Sequence, residues 1–216
     1  MADNDATRLT GTDHPWEENR GMGHSCGYNR MESLADYRTD RELLMMLIDI
    51  VSRGGNLLLD MGPTCDGRIP VIMEERLLQM GDWLRPNGEA IYNTRARKVT
   101  RQWSQGKVPQ LEEKDFMSDY PIGHLVDSPA PGFARVDAFF TAGDNAVYAI
   151  LPRRPLQDVV LDGIVAPSGV RATLLEGGQK LKAARHGSQL RIRIPDSLAA
   201  ALPARPAYVL KLEGAQ

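Results

Sequence analysis

Apolar and polar positions predict two helices with a strand between them in the first part of the chain. The first helix follows Thr39-Asp40-Arg41-Glu42, a capping-box pattern, and ends at Gly54-Gly55. The second starts at Pro70, where a missing N–H does no harm, and stops at 86–88. Between them, residues 56–61 form an apolar run without alternation, which predicts a parallel strand buried on both faces.

The pattern changes to alternation from about Val136. Residues 136–141 and 146–151 flank Gly143-Asp144-Asn145, which predicts a β-hairpin turn. Further short strands are predicted at 159–161, 170–175, 190–194 and 208–212. Short strands separated by frequent turns are typical of a small antiparallel β-sandwich, so the chain is predicted to be α/β followed by all-β.

One parallel strand with two helices is not a stable sheet by itself, because its backbone groups need neighbouring strands on each side. The first 95 or so residues are therefore expected to be part of a larger α/β domain. Residues 95–133 carry several prolines and little periodicity, which predicts a long connection with at most one strand. Within it, Arg95, Arg97, Lys98 and Arg101 are interpreted as a solvated face, with an anionic partner site as the alternative.

Composition narrows the class of protein further. The chain has 216 residues and a net charge of -2, which does not favour nucleic-acid binding, and no apolar run reaches the roughly 20 residues of a membrane span. The acidic start at residues 1–5 predicts no secretory signal, so a cytoplasmic location is the default expectation. Cys26 and Cys65 do not make a disulfide framework, which fits a reducing compartment.

Metal binding is not expected from the histidine spacing. The four histidines lack a ligand pattern, although His14 and His24 as a zinc pair remain a minor alternative.

Seven short motifs occur in one order along residues 15–94. They are Pro15-Trp16-Glu17, Ser25-Cys26-Gly27-Tyr28-Asn29, the stretch 54–63, Asp66-Gly67, Glu75-Arg76-Leu77, Gly81-Asp82-Trp83-Leu84 and the stretch 87–92. Together they resemble the C-terminal half of the family-29 α-L-fucosidases, a family of glycoside hydrolases. The remaining chain resembles the C-terminal β-sandwich of that family more loosely, through residues 146–150 and the final strand.

The resemblance implies a fold and its boundaries. The family has a (β/α)₈-like barrel followed by a β-sandwich. Residues 1–94 would then be the C-terminal part of the barrel, 95–133 a connection and 134–216 the sandwich domain. Residues 56–61 would be the last barrel strand and 70–84 the last barrel helix.

The resemblance also implies retaining hydrolysis of terminal α-L-fucosides, which uses two carboxyl groups and no cofactor. Glu17 matches the acid/base position, and an adjacent indole, Trp16, is suited to raising the pKa of a carboxyl group. Glu18 is the neighbouring competitor and would face the other side of a strand.

Four residues are expected to contact the sugar: Trp16, Cys26, Tyr28 and Asn56. Cys26 stands where the family has Trp or Phe. The alternative to a sugar contact is that Cys26 is a small buried hydrophobic residue. Asp60 stands where the family usually has Asn, so it is either a new acid or a hydrogen-bonding group.

The family nucleophile has no counterpart by motif, since nothing before Trp16 resembles the segment that carries it. If this chain cleaves fucosides, we expect it to recruit Asp60 or Asp66, to borrow a carboxylate from a second copy, or to work through Glu17 alone. The rival hypotheses are a non-catalytic module that binds carbohydrate or self-associates, and a subunit that completes a barrel with another chain. The expected partners are a fucosylated glycan or small fucoside and a second copy or barrel-completing chain.

Overall fold

The computed structural model describes residues 14–109, 122–167 and 169–215. The acidic start and part of the predicted connection lie outside these ranges. The first half contains β1 (Trp16–Gly21), α1 (Asp40–Ser52), β2 (Gly55–Asp60), α2 (Val71–Asn87), β3 (Arg101–Trp103) and α3 (Ile122–Val126). The second half contains β4 (Val136–Ala142), β5 (Ala146–Leu151), β6 (Val159–Asp162), β7 (Arg171–Leu174), β8 (Gln179–Leu181), β9 (Ala183–His186), β10 (Gln189–Ile192), α4 (Asp196–Ala201) and β11 (Tyr208–Glu213).

Helix α1 starts at the predicted capping box. The Thr39 hydroxyl accepts a hydrogen bond from the Glu42 N–H at 3.1 Å, and the Glu42 carboxylate accepts one from the Thr39 N–H at 2.8 Å. Two donors that the helix leaves without partners are thereby satisfied. The helix ends before Gly54, whose φ of 85° is the left-handed conformation that favours glycine.

Strands β1 and β2 form a two-stranded parallel sheet. Trp16 pairs with Gly55 and Gly21 with Asp60, so the six positions of each strand match in register. The predicted burial of β2 on both faces is wrong, since Leu58 is 44% exposed. Its apolar run packs on the helices through one face only, and among the described residues β1 is its single neighbouring strand.

Two antiparallel sheets make up the rest of the molecule. The larger has the strand order β3-β4-β5-β11-β7-β8, and the smaller has β6-β10-β9. The predicted hairpin joins β4 to β5, with Thr141 opposite Tyr148. Strands β8 and β9 and helices α3 and α4 are additions to the predicted elements.

The six-stranded sheet is a middle layer with a hydrophobic core on each face. One face packs on the helices, where Phe139 and Ile150 of the sheet meet residues of α1 and α2 such as Ile50 and Trp83. The other face packs on the small sheet through residues such as Phe140 and Leu190. The architecture is therefore mixed α/β with antiparallel sheets.

Part of the predicted connection joins the large sheet. Strand β3, the one strand seen among the described residues of 95–133, pairs with β4, and Arg95 bridges Ala142. These pairings tie the chain after α2 directly to the antiparallel region. No helix within the described ranges is both long and apolar enough to cross a bilayer.

Candidate active site

The two faces of the β1–β2 sheet have opposite environments. Alternation along a strand sends neighbouring side chains to opposite faces, and register pairs share a face. One face is open to solvent, and the other packs on the helical core. The open face carries Glu17, Asn19, Asn56, Leu58 and Asp60, and the covered face carries Trp16, Glu18, Arg20, Leu57 and Leu59.

Glu17 is exposed on the open face, directly beside Asn56 on the neighbouring strand. Glu18 lies on the covered face and forms an ion pair with Arg20, with a carboxylate–guanidinium distance of 2.6 Å. The expectation that the two glutamates face opposite sides therefore agrees with the geometry.

Trp16 lies on the face opposite Glu17. Its ring rests on Gly55, where an added Cβ would lie 2.4 Å from the indole. The Arg53 guanidinium also stacks on this ring, 5.1 Å from the ring centroid. The expected role of this indole as an apolar wall beside the Glu17 carboxyl does not match its position, because strand alternation separates adjacent side chains.

Glu17 and Asp60 lie at opposite ends of the open face. Asp60 pairs with Gly21, four residues beyond Glu17 along the same strand direction. Four residues of extended chain span about 13 Å. The two carboxyl groups of a retaining glycosidase lie roughly 5–5.5 Å apart, so Glu17 and Asp60 of one chain are not a retaining pair.

The loops after β1 and β2 meet at the carboxyl ends of the strands. A Cβ added to Gly62 would lie 1.8 Å from the Tyr28 amide nitrogen, so glycine is required where these backbones touch. Cys26 and Tyr28 are exposed in the first loop, and Asp60 precedes the second. The interpretation of Cys26 as a buried hydrophobe is wrong. Asp66 lies in the second loop, where it accepts a hydrogen bond from Thr64.

The side chain of Glu32 contacts the backbone of the loop after β1. Its carboxylate accepts a hydrogen bond from the Ser25 N–H at 2.8 Å and lies against Gly23, where an added Cβ would be 2.6 Å away. Burial, followed by the negative charge of Glu32, raises the pKa of Tyr37. The Glu32 carboxylate thus contacts the loop that carries Cys26 and Tyr28 at two positions.

Asn56 borders an open cleft of about 820 Å³ at the amino ends of β1 and β2. His14, Asn93 and Arg95 are among the described residues of its lining, and none of those described residues carries a carboxylate. The cleft lies at the opposite end of the strands from Cys26, Tyr28 and Asp60. The structure therefore groups the sequence-predicted site residues into two sets rather than one.

Three charged residues behind the strands were not foreseen as a cluster. Asp49 of α1 and Arg53, the residue that follows α1, are 1% exposed and form an ion pair at 3.2 Å. The Arg101 guanidinium donates to the same carboxylate at 2.6 Å. The sequence analysis interpreted Arg101 as part of a solvent-exposed face, and this interpretation is wrong because its side chain is 11% exposed. The ion pair between Asp49 and Arg53 could have been predicted from the sequence, because an acid and a base four residues apart on a helix are neighbours. The contact of Arg101 with Asp49 depends on the tertiary fold.

Metal ligation is not seen in the described ranges, where no three potential ligands come together. His24 faces Asp36 at 3.7 Å, and His14 is exposed at the cleft.

Comparison with known proteins relates this chain to α-L-fucosidases. The family model described as "Alpha-L-fucosidase" matches residues 3–89. Tissue α-L-fucosidase of Homo sapiens is 34% identical over 205 residues, which is 94% of this chain and 38% of that protein. Plasma α-L-fucosidase of Rattus norvegicus is 55% identical over 82 residues, which is 38% of this chain and 18% of that protein.

The solved structures point the same way. The crystal structure of Thermotoga maritima α-fucosidase in complex with a mechanism-based inhibitor has a TM-score of 0.69 and 29% sequence identity. The match covers 94% of this chain and 40% of that chain. This chain thus spans less than half the length of the relatives that it matches. The comparisons therefore relate this chain to the α-L-fucosidases, with similarity that extends over 94% of its length.

Proposed function

We propose that this chain acts in the retaining hydrolysis of terminal α-L-fucosides, with Glu17 as the general acid/base. The observation that carries the proposal is the placement of Glu17 on the open face of β1, in a chain similar to the α-L-fucosidases. A proton donor must reach the glycosidic oxygen directly, and a side chain on the covered face, such as Glu18, does not have that access.

The proposed reaction has two steps. In the first, a second carboxylate attacks the anomeric carbon while Glu17 gives its proton to the departing oxygen, and a glycosyl ester forms. In the second, Glu17 takes a proton from water as the water oxygen attacks the anomeric carbon and releases the carboxylate. Carboxyl groups and water complete this chemistry, so the proposal includes no cofactor.

The second carboxylate is proposed to come from outside the described residues of this chain. Asp60 lies about 13 Å from Glu17 along the strands, and Asp66 follows it in the next loop. The separation weakens recruitment of either aspartate by Glu17 of the same chain. A carboxylate from an associating copy or from a barrel-completing chain fits the geometry better.

The proposed sugar contacts divide between the two ends of the strands. The Asn56 amide lies beside Glu17, where it can donate to a sugar hydroxyl, and Tyr28 offers a ring that is 43% exposed for packing on the apolar face of fucose. Cys26 in the same loop is proposed as a smaller contact. Trp16 is the weakest of the four, because its ring is covered by Gly55 and Arg53.

We also propose that residues 1–94 are the closing part of a (β/α)₈-like barrel and that residues 134–216 are the β-sandwich domain, with 95–133 between them. The parallel pair β1–β2 with α1 and α2 on one face supports the first assignment. Two antiparallel sheets that share a core support the second.

Association with a second copy or a barrel-completing chain follows from the same architecture. Each strand of the parallel pair has one edge with no partner among the described residues, and Leu58 is exposed between Asn56 and Asp60. Pairing of such edges satisfies backbone groups that would otherwise bond only to water. Light scattering at two protein concentrations tests this idea, and a monomer at both would contradict self-association.

The enzymatic proposal is tested by hydrolysis of 4-nitrophenyl α-L-fucoside by the purified chain. Glu17→Gln keeps the shape of the side chain but removes its proton chemistry, so we expect a rate loss of about 100-fold or more. Glu18→Gln is the matched control, because that carboxylate lies on the covered face and pairs with Arg20. Equal rates for Glu17→Gln and the unchanged chain would place the acid elsewhere.

The second candidate function is a non-catalytic module that binds fucosylated glycans. The separation of about 13 Å between Glu17 and Asp60 along the strands favours it. Calorimetric titration with L-fucose separates the two functions. Binding without hydrolysis supports the module, and hydrolysis that depends on Glu17 supports the enzyme.

A further inference from the structure

A stack of side chains connects the strand that carries Glu17 to the six-stranded sheet. It runs from the Trp16 indole on β1 to the Arg53 guanidinium at 5.1 Å, then to the Asp49 carboxylate at 3.2 Å. The Arg101 guanidinium on β3 donates to the same carboxylate at 2.6 Å. The contacts thus pass from β1 through α1 to the antiparallel region.

Each member of the stack has a restricted position. Arg53 and Asp49 are 1% exposed and Arg101 is 11% exposed, so water does not screen their charges as it does at the surface. Gly55 provides the flat support on which the Trp16 ring lies, since an added Cβ would come within 2.4 Å of it. A ring in contact with both a glycine and a guanidinium has less freedom to tilt than an unpacked ring.

The Glu17 carboxylate depends on this restraint through the backbone. Trp16 is the residue immediately before it, and adjacent side chains of a strand point to opposite faces. A roll of β1 about its own axis that moves the Trp16 indole on the covered face therefore also moves Glu17 on the open face. Because β1 has one paired edge among the described residues, its backbone ladder restrains this rotation less than a central strand would.

We propose that Arg53 is a positioning residue for Glu17, acting through Trp16, and that Asp49 and Arg101 transmit the position from the six-stranded sheet. The proposal rests on the function proposed above for Glu17. It assigns the antiparallel region a part in orienting the acid/base, beyond covering the helices.

The direct test perturbs the indole without touching any charge. In Gly55→Ala the new Cβ displaces the Trp16 ring, so amide hydrogen exchange across 16–21 should rise at least tenfold while exchange across α2 stays unchanged. Gly81→Ala is the matched control, since a Cβ at Gly81 meets no atom within 4 Å. Equal protection of β1 in the two variants would overturn the proposal.

The charged members are tested by Arg53→Met and Arg101→Met, with Arg53→Lys as the conservative variant. We expect faster exchange in β1 for both methionine variants and partial recovery with lysine, which keeps the charge but loses the planar stack. Arg171→Met removes an exposed arginine of the large sheet and should leave β1 unchanged. Protection of β1 that matches the wild type in both stack variants would contradict the assignment.

Kinetics separate positioning from general stability. For Gly55→Ala and Arg53→Met we expect kcat with the aryl fucoside to fall at least tenfold with KM nearly unchanged, because misplacement of a proton donor acts on the chemical step. A fall in both parameters in proportion to unfolded protein would mean a purely structural role. If the wild-type chain shows no hydrolysis, the proposed function fails, and the exchange data still decide whether the stack holds β1.

Discussion

At the residue scale, burial decides which ion pairs contribute to the stability of this protein. Asp82 and Arg85 form an ion pair on the surface of α2, where both side chains are more than half exposed. Asp49 and Arg53 have the same chemistry at 1% exposure. Exposed pairs contribute little to stability, whereas loss of one member of a buried pair leaves a charge in a poorly solvating environment.

Asp49→Asn should lower the free energy of unfolding by about 3–5 kcal/mol, because the two guanidinium groups at this carboxylate lose their shared negative charge. Urea denaturation measures the difference. Asp82→Asn is the surface control and should change the free energy of unfolding by less than about 1 kcal/mol. Similar losses of unfolding free energy in the two variants would show that burial does not determine how much the Asp49–Arg53 ion pair contributes to stability.

Tyr148 makes the stability of the folded protein depend on pH in the alkaline range. Burial, and then the negative charge of Glu89, whose carboxylate accepts a hydrogen bond from the Tyr148 hydroxyl at 3.1 Å, raises the pKa of Tyr148 to about 12. Since the unfolded value is 10.0, the stabilisation is complete below pH 10 and is lost as the pH rises through 12. We expect the urea midpoint to fall more steeply in this window for the wild type than for Tyr148→Phe. Parallel pH profiles would exclude Tyr148 as the source.

At the element scale, local signals and neighbours contribute differently to each segment. The capping box defines the start of α1 with contacts among Thr39 and Glu42 alone. Strand β2 has a similarly clear sequence signal, but its exposure depends on which elements lie beside it. For this reason the predicted segment was nearly right, 56–61 against Gly55–Asp60, whereas its burial was wrong.

Thr39→Ala should cost about 1 kcal/mol of stability, since it removes the side-chain acceptor for the Glu42 N–H. Thr39→Ser keeps the acceptor and should remain close to the wild type. Thermal unfolding followed by circular dichroism compares them. An alanine variant as stable as the serine variant would show that water replaces the cap without loss.

At the scale of the whole molecule, the helices and the six-stranded sheet share one core. Phe139, Ile150 and Val209 of the sheet belong to the same cluster of buried residues as Ile50 and Trp83 of the helices. Polar contacts cross the same boundary, including a hydrogen bond of 2.9 Å from the Trp83 indole N–H to the Ala207 carbonyl oxygen. The helical and antiparallel parts are therefore mechanically joined.

A shared core predicts one cooperative unfolding transition for both parts. We expect calorimetry to give a single peak whose calorimetric and van't Hoff enthalpies agree. Trp83→Phe, which removes the indole hydrogen bond to Ala207, should lower the transition temperature without splitting the peak. Two resolved peaks in the wild type would contradict the coupling.

The family resemblance and most strand positions were predictable because they depend on short stretches of sequence. Gly54-Gly55 and Gly143-Asp144-Asn145 mark chain reversals by backbone preference, and the proposal of Glu17 as the acid/base rests on the motif around it. Strands β8 and β9 escaped prediction, since both are mainly exposed and carry no apolar alternation. Their positions depend on pairing with β7 and β10 rather than on their own composition.

The sequence by itself determined where α1 begins, where the hairpin turns and that Glu17 and Glu18 would point to opposite faces of any strand that contains them, because capping, turn conformation and strand alternation act over a few residues. Only the tertiary structure decided that Trp16 lies under Arg53, that Arg101 reaches Asp49 from β3 and that Asp60 is distant from Glu17. Those relations join residues far apart in the chain, and packing and parallel register set them through the sum of many weak contacts rather than through any local pattern.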